Sequence, residues 1–315
     1  MKVVALAGGI GAGKFLRGLV RAVEPADVTA VVNTGDDVRM HGLHVSPDLD
    51  SVTYWLGDAF DRERGWGRRD ETFRATEELR AFGAPDAWFN LGDLDLATHL
   101  FRTPLLDSGL PLSEVTRRVA ARFEIAARIV PMTDDLVTTR VDVVDQDGRL
   151  LDLHFQEYWV ARRAVDDVKG VRFQGVTDCR PAPGVLDAIA GADVIVVCPS
   201  NPVVSIGPIL SVPGIREAVE ARRPAAVGVS PIVGGAPLSG MADRLMPAMC
   251  MEVSAVGAAR AYEGLLAGWL IDERDRALAP RVEALGIRCG VSDTVMVDDT
   301  AAERVARAAL ALVSP

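Results

Sequence analysis

Short apolar runs, each closed by glycine or a polar turn, recur along this chain. Residues 2–7 form a mostly apolar stretch ending in Gly8 and Gly9, the pattern of a buried parallel strand entering a tight turn. Phe15, Leu16, Leu19, Val20 and Val23 then follow at helical spacing, so strand, glycine turn and helix succeed one another, with the helix expected to begin near Lys14. Further β-branched runs at 28–33, 193–198 and 225–229 are separated by helical stretches. Buried strands alternating with helices predict an α/β fold: a Rossmann-like, doubly wound, mainly parallel sheet. The terminal AAERVARAALALV predicts a last helix packed on that sheet.

Between 133 and 177 the texture changes. VTTRVDVVDQDGRLLDLHFQEYWV alternates apolar and polar positions, and Asp147-Gly148 marks a hairpin turn. We expect a smaller α+β lobe with an antiparallel sheet, inserted at 133–177 into a single unit spanning 1–315. NTGDD at 33–37, CPSNP at 198–202 and SPIVGGAPLSG at 230–240 fall where strands should end. Ligands of open α/β sheets bind outside the carboxyl ends of the strands, so these loops are expected to meet at one crevice.

Composition narrows the ligand. With 315 residues and 49% hydrophobic content the chain can bury a large core, and its formal net charge of −10 argues against nucleic acid as a partner. Cys179, Cys198, Cys250 and Cys289 show no metal or disulfide spacing. No apolar run reaches the roughly 18 residues of a membrane span, and no signal-peptide pattern opens the chain, so a soluble cytoplasmic protein is expected. Exposed apolar helices make a homodimer the expected assembly.

Gly8 to Lys14 spell G-x-x-x-x-G-K, the phosphate loop of nucleotide hydrolases, but Phe15 stands where that loop needs a hydroxyl to hold Mg²⁺. The dinucleotide pattern fails as well, because Lys14 occupies the position of its third glycine. What remains is a flexible turn at a helix N-terminus, a setting that suits phosphate or diphosphate. Asp36, Asp37, Asp48 and Asp50 follow within 15 residues, and carboxylates at strand ends with phosphate nearby suit Mg²⁺. Ser46-Pro47-Asp48 equally suits a helix start, with Ser46 or Asp48 as the cap. On a helix beginning at Asp95, Thr98, His99 and Arg102 share one face. Phe155, Tyr158 and Trp159 suit either lobe packing or a wall for a flat ring. No nucleophile–His–acid pattern occurs, which favours direct transfer to an acceptor over a covalent enzyme intermediate.

GGIGAGKFLRGL at 8–19, VVNTGDD at 31–37, SPDLDSVTYWL at 46–56, GWG at 65–67, LGDLDLATHL at 91–100, CPSNPVVSIGPIL at 198–210, SPIVGGAPLSG at 230–240 and IDERDRA at 271–277 resemble, in order and spacing, the 2-phospho-L-lactate transferases of coenzyme F-420 biosynthesis. The resemblance implies Mg²⁺-dependent transfer of a 2-phospholactyl, phosphoenolpyruvyl or phosphoglyceryl group. The donor would be a guanosine diphosphate adduct of the three-carbon acid. The acceptor would be the deazaflavin alcohol Fo, and the products F-420-0 or its dehydro form and GMP. It implies Asp50 and Asp36 as the catalytic and metal-holding carboxylates, with Asp50→Asn expected to spare the fold and abolish most transfer. Asp50, Asn90, Gly92, Asp93 and Asp95 would form the Fo side. Gly9, Gly11, Gly13, Lys14, Ser200, Asn201 and Ser205 would contact the nucleotide and its phosphates. The competing readings are a non-catalytic nucleotide-sugar-binding regulator of the gluconeogenesis-factor-like family, whose sequence after the second-strand aspartates differs, and a P-loop kinase, which Phe15 disfavours.

Overall fold

In the computed structural model, which describes residues 1–313, Val3–Ala7 is buried at every position and lies in the interior of a seven-stranded parallel sheet. It pairs with Val28–Val32 on one side and Val194–Val197 on the other. Beyond Val28–Val32 lies Arg128–Pro131; beyond Val194–Val197 come Ala226–Val229, Gly268–Asp272 and Arg288–Ser292, every neighbouring pair parallel. Successive side chains of a strand point to opposite faces. Thus Val3, Ala5 and Ala7 join one apolar layer while Val4 and Leu6 join the other.

Helices cover both layers. Gly9–Ala22, Pro47–Leu56 and Asp299–Leu310 pack on the first through Phe15, Leu16, Leu49, Val52, Val305 and Ala309. Val185–Ala190, Ile206–Ser211 and Ile215–Ala221 pack on the second through Ile189, Ile206, Ile209 and Ile215. The doubly wound Rossmann-like architecture read from the sequence is therefore present. Phe15 has no exposed surface and belongs to this core.

Within 133–177, Leu150–His154, Thr138–Val144 and Asp167–Gln174 form a three-stranded antiparallel sheet in that spatial order. The turn at Asp147-Gly148 is closed by Asp145, whose backbone N–H donates to Arg149 O at 3.0 Å and whose carboxylate accepts from the Asp147 N–H at 2.9 Å. Thr139, Val141 and Val143 alternate inward, and the short helical turn Glu157–Ala161 buries Tyr158.

Two sequence expectations are revised. The first helix starts at Gly9, not near Lys14, so Gly11, Gly13 and Lys14 are helical. Gly9, at φ 70°, makes the bend from strand into helix that a side chain would strain. Three strands lacked a clear signal: Arg128–Pro131 and Arg288–Ser292 are sheet edges, the former only four residues long and the latter only partly buried, and Gly268–Asp272 has just Trp269, Leu270 and Ile271 between a glycine and an aspartate.

Candidate active site

Val3–Ala7 and Val194–Val197 are neighbours, but the chain leaves their carboxyl ends toward opposite sides of the sheet, which opens a crevice between them. A cavity of about 950 Å³ occupies this place. The loops after 32, 197 and 229 all reach it, through Asp36, through Ser200, Asn201 and Ser205, and through Ser230, Pro231 and the 237–242 segment. The lobe adds Phe155, Gln156 and Trp159.

Two carboxylates face this space, Asp36 and Asp48, and both are buried. Ser46 does not cap the Pro47–Leu56 helix with its side chain; its hydroxyl donates to Asp37 Oδ2 at 2.7 Å. Asp48 Oδ2 accepts from Asn33 Nδ2 at 2.9 Å, while Asp36 Oδ1 has no hydrogen-bond partner. Burial raises the Asp36 pKa well above the usual carboxylate range, and the charge of Asp48 adds to it. Burial likewise raises Asp48 to about 6, opposed by hydrogen bonds from the Asn33 side chain and the Gly9 amide. Two such carboxylates, one with an open oxygen, are suited to a shared cation.

Asp50 lies elsewhere. Residues two apart on a helix do not share a face, and with Asp48 turned to the cavity, Asp50 turns to the Asp93–Asp107 helix. There both of its oxygens are held by Arg102, one from Nη1 at 3.0 Å and the other from Nη2. His99 Nδ1 lies 3.1 Å from Arg102 Nη1, and Tyr54 donates its hydroxyl proton to Asp95 at 2.6 Å. Thr98, His99 and Arg102 do occupy one buried face, but their partners are the protein's own: Tyr54 for Thr98, and carboxylates for His99 and Arg102. Asp50, Asp95 and His99 bring potential metal-ligating atoms within 4.8 Å of one another. The guanidinium of Arg102 already supplies the cation there, so the open carboxylate pair is Asp36 with Asp48.

The remaining predicted residues divide in the same way. Gly9, Gly11, Lys14, Asn90, Ser200, Asn201 and Ser205 line the cavity; Gly13, Gly92, Asp93 and Asp95 do not. A Cβ on Gly13 would stand 2.2 Å from Trp55 Cδ1, so this glycine lets the first helix approach the second. Gly92 and Asp93 engage residues 71–75: Asp93 accepts from the Ala75 N–H at 3.1 Å, and Glu71 fills the space where a Gly92 side chain would stand. Ser200 Oγ donates to Gly8 O at 2.8 Å, tying two of the cavity loops together. Asn90 Oδ1 accepts from Arg80 Nη2 at 2.9 Å.

The family model described as 2-phospho-L-lactate transferase CofD matches residues 3–311. The chain belongs to the CofD family. Relatives named phosphoenolpyruvate transferase include one from Streptomyces griseus, 51% identical over 313 residues that cover 99% of this chain and 98% of the relative. Another, from Mycolicibacterium smegmatis, is 42% identical over 327 residues covering 99% and 98%. A crystal structure of a UPF0052-family protein from Bacillus halodurans superposes with a TM-score of 0.63 at 17% identity, covering 98% of both chains, a likeness of fold.

For a CofD-family transferase, the charge of the cavity is informative. Lys14 is the one cation among the described residues lining it, against Asp36 and Asp48. Sequence reading passed over Trp66, Phe89 and the 294–297 segment, which complete the walls. Residues 294–297 follow the edge strand Arg288–Ser292, and without that strand nothing in VSDTVMV places them at a strand end. Trp66 lies in the GWG motif, which marked the resemblance without indicating a wall. Trp159 and Phe155 do line the cavity, while Tyr158 is core. No helix is long and apolar enough to cross a membrane among the described residues.

Proposed function

We propose that this CofD-family chain transfers a phosphoenolpyruvyl group from a guanosine diphosphate adduct to the terminal hydroxyl of Fo. The hydroxyl oxygen forms a bond to the phosphorus bearing the enolpyruvyl group, the bond from that phosphorus to the bridging oxygen breaks, and GMP and a proton depart. The product is the dehydro form of F-420-0. Choosing phosphoenolpyruvyl over its lactyl and glyceryl counterparts rests on the names carried by relatives 42–51% identical across the whole chain.

The observation carrying this reading is that Asp36, Asp48 and Lys14 line one cavity. A diphosphate brought to two carboxylates and one lysine lacks enough positive charge to be held, and the open Asp36 oxygen fits Mg²⁺. Asp36 and Asp48 would hold the ion, which supplies charge neutralisation on the diphosphate. Lys14 binds phosphate oxygens near the positive end of the first helix. Trp66, Phe89 and Trp159 offer apolar faces to the flat deazaflavin ring and limit water around the acceptor hydroxyl. Fixing both substrates in line provides much of the rate, because little covalent work is asked of the protein.

Incubating the purified protein with Fo, Mg²⁺ and each of the three guanosine adducts, and weighing the products, tests the reading. The expected result is a phosphoenolpyruvyl product in clear excess, formed only when a divalent ion is supplied. Absence of product with all three adducts would overturn it.

A further inference from the structure

One fully buried side chain joins three of the loops that build the cavity, and it is not part of the cavity wall. Asn33 follows the strand Val28–Val32 and has no exposed surface. Its Nδ2 donates to Asp48 Oδ2 at 2.9 Å and to Val204 O at 3.2 Å, and its Oδ1 accepts from the Gly35 N–H at 2.9 Å. Its own backbone N–H donates to Ala7 O at 3.0 Å, anchoring it to the central strand. A single carboxamide therefore connects the loop carrying Asp36, the helix start carrying Asp48, and the loop carrying Ser200 and Asn201.

The chemistry of the group suits this task. Only a carboxamide presents two donor hydrogens and an acceptor oxygen from one planar unit. An aspartate would set acceptor oxygens against Asp48 Oδ2 and Val204 O, and a leucine would leave three buried polar atoms unpaired. The donor bond to Oδ2 fixes the plane of the Asp48 carboxylate, which the Gly9 amide also holds, and the bond to Gly35 constrains the turn from which Asp36 projects. Metal-ligating carboxylates depend on such outer partners for orientation.

We propose that Asn33 is a positioning residue that sets the Asp36 and Asp48 carboxylates in the relative orientation needed to share one divalent cation. This rests on the reading of Asp36 and Asp48 as the metal-holding pair. Asn33 lies behind the cavity wall, so its influence passes through the two carboxylates and reaches transfer only by way of the ion.

Binding of Mn²⁺ alone to the full-length protein, followed by electron paramagnetic resonance, tests this without any substrate. The set comprises the wild type, Asp48→Asn, Asn33→Ala, Asn33→Ser and Thr133→Val. Thr133 is also fully buried and bonded to a backbone oxygen, Arg180 O, but lies outside the cavity wall, so its loss controls for general destabilisation. Asn33→Ala is expected to weaken Mn²⁺ binding by about 10–100-fold. Asn33→Ser, which keeps one donor, should fall between it and the wild type and serves as the readout where the alanine variant does not fold. Thr133→Val should lower the melting temperature and leave Mn²⁺ affinity unchanged. Folded Asn33 variants that bind Mn²⁺ as the wild type does would overturn the role of Asn33 while leaving the metal pair in place. A wild type whose Mn²⁺ binding is absent, or unaffected by Asp48→Asn, would overturn the metal pair and the Asn33 role with it.

Discussion

Asp48 and Asp50 stand two residues apart on one helix, yet Asp48 faces the cavity beside Asp36 while Asp50 is locked in a buried ion pair with Arg102. Two carboxylates of a single PDLD motif thus have separate surroundings, one at the cavity wall and one joining two helices.

Asp48→Asn is expected to keep the fold, since an amide oxygen can still accept from Asn33, and to lose nearly all transfer. It should also change how stability depends on pH. Asp48 has a folded pKa of about 6, above the unfolded value of about 3.9. The cation-free folded state therefore binds more protons between those values, and stability falls as pH rises through that window. Melting curves from pH 4 to 7 without divalent ions should show a shallower decline in Asp48→Asn than in the wild type, and Mg²⁺ should stabilise the wild type more at pH 7 than at pH 4.5.

Asp50→Asn behaves differently from what the motif alone suggests. It leaves the Arg102 guanidinium buried without its counter-charge, and breaking a buried pair costs about 3–5 kcal/mol. Chemical denaturation should register that loss, and Arg102→Met should show a comparable one. If Asp50→Asn retained full stability while abolishing turnover, Asp50 would return to the reaction site.

Lys14→Met removes the one cation on the described cavity wall. A hydrogen bond to a charged group contributes about 1.5–3 kcal/mol. Steady-state kinetics should therefore show kcat/KM for the guanosine adduct reduced by roughly 10–100-fold, with the melting temperature nearly unchanged.

Gly13→Ala opposes two effects. Alanine favours a helix over glycine by about 1 kcal/mol, but its methyl would enter the Trp55 ring at 2.2 Å. Overpacking of that kind costs about 1–3 kcal/mol, so a net drop in melting temperature is expected. A rise would show that Trp55 can move aside.

Phe15→Ser tests the phosphate-loop resemblance. Gly11 to Lys14 are wound into a helix and cannot wrap a nucleotide as a loop does. The variant should lose about 3–5 kcal/mol of stability through the emptied core site and gain no ATP hydrolysis in a phosphate-release assay.

Much of this molecule is legible in its residues taken in order. Apolar runs with period-two and helical spacing identify four of the seven central strands and the antiparallel insert, because burial on both faces demands unbroken apolar residues in the middle of a sheet. Edge strands escape that demand, which is why Arg128–Pro131 and Arg288–Ser292 carried no such signal, nor did the cavity segment following the latter. The motifs around Gly8, Asp36 and Ser200 point to one crevice because strand ends on the same side of a parallel sheet must converge.

What the sequence determines by itself is therefore the layered α/β fold, the family, and the gathering of carboxylates and glycines at one end of the sheet. Which carboxylate faces the cavity was decided only by tertiary structure. The angle between Asp48 and Asp50 is a local property of the helix, but the direction each one meets is set by Arg102, 52 residues beyond Asp50, and by Asn33 at the end of another strand. A buried charge goes where its partner is, and that partner becomes a neighbour only when the chain has folded.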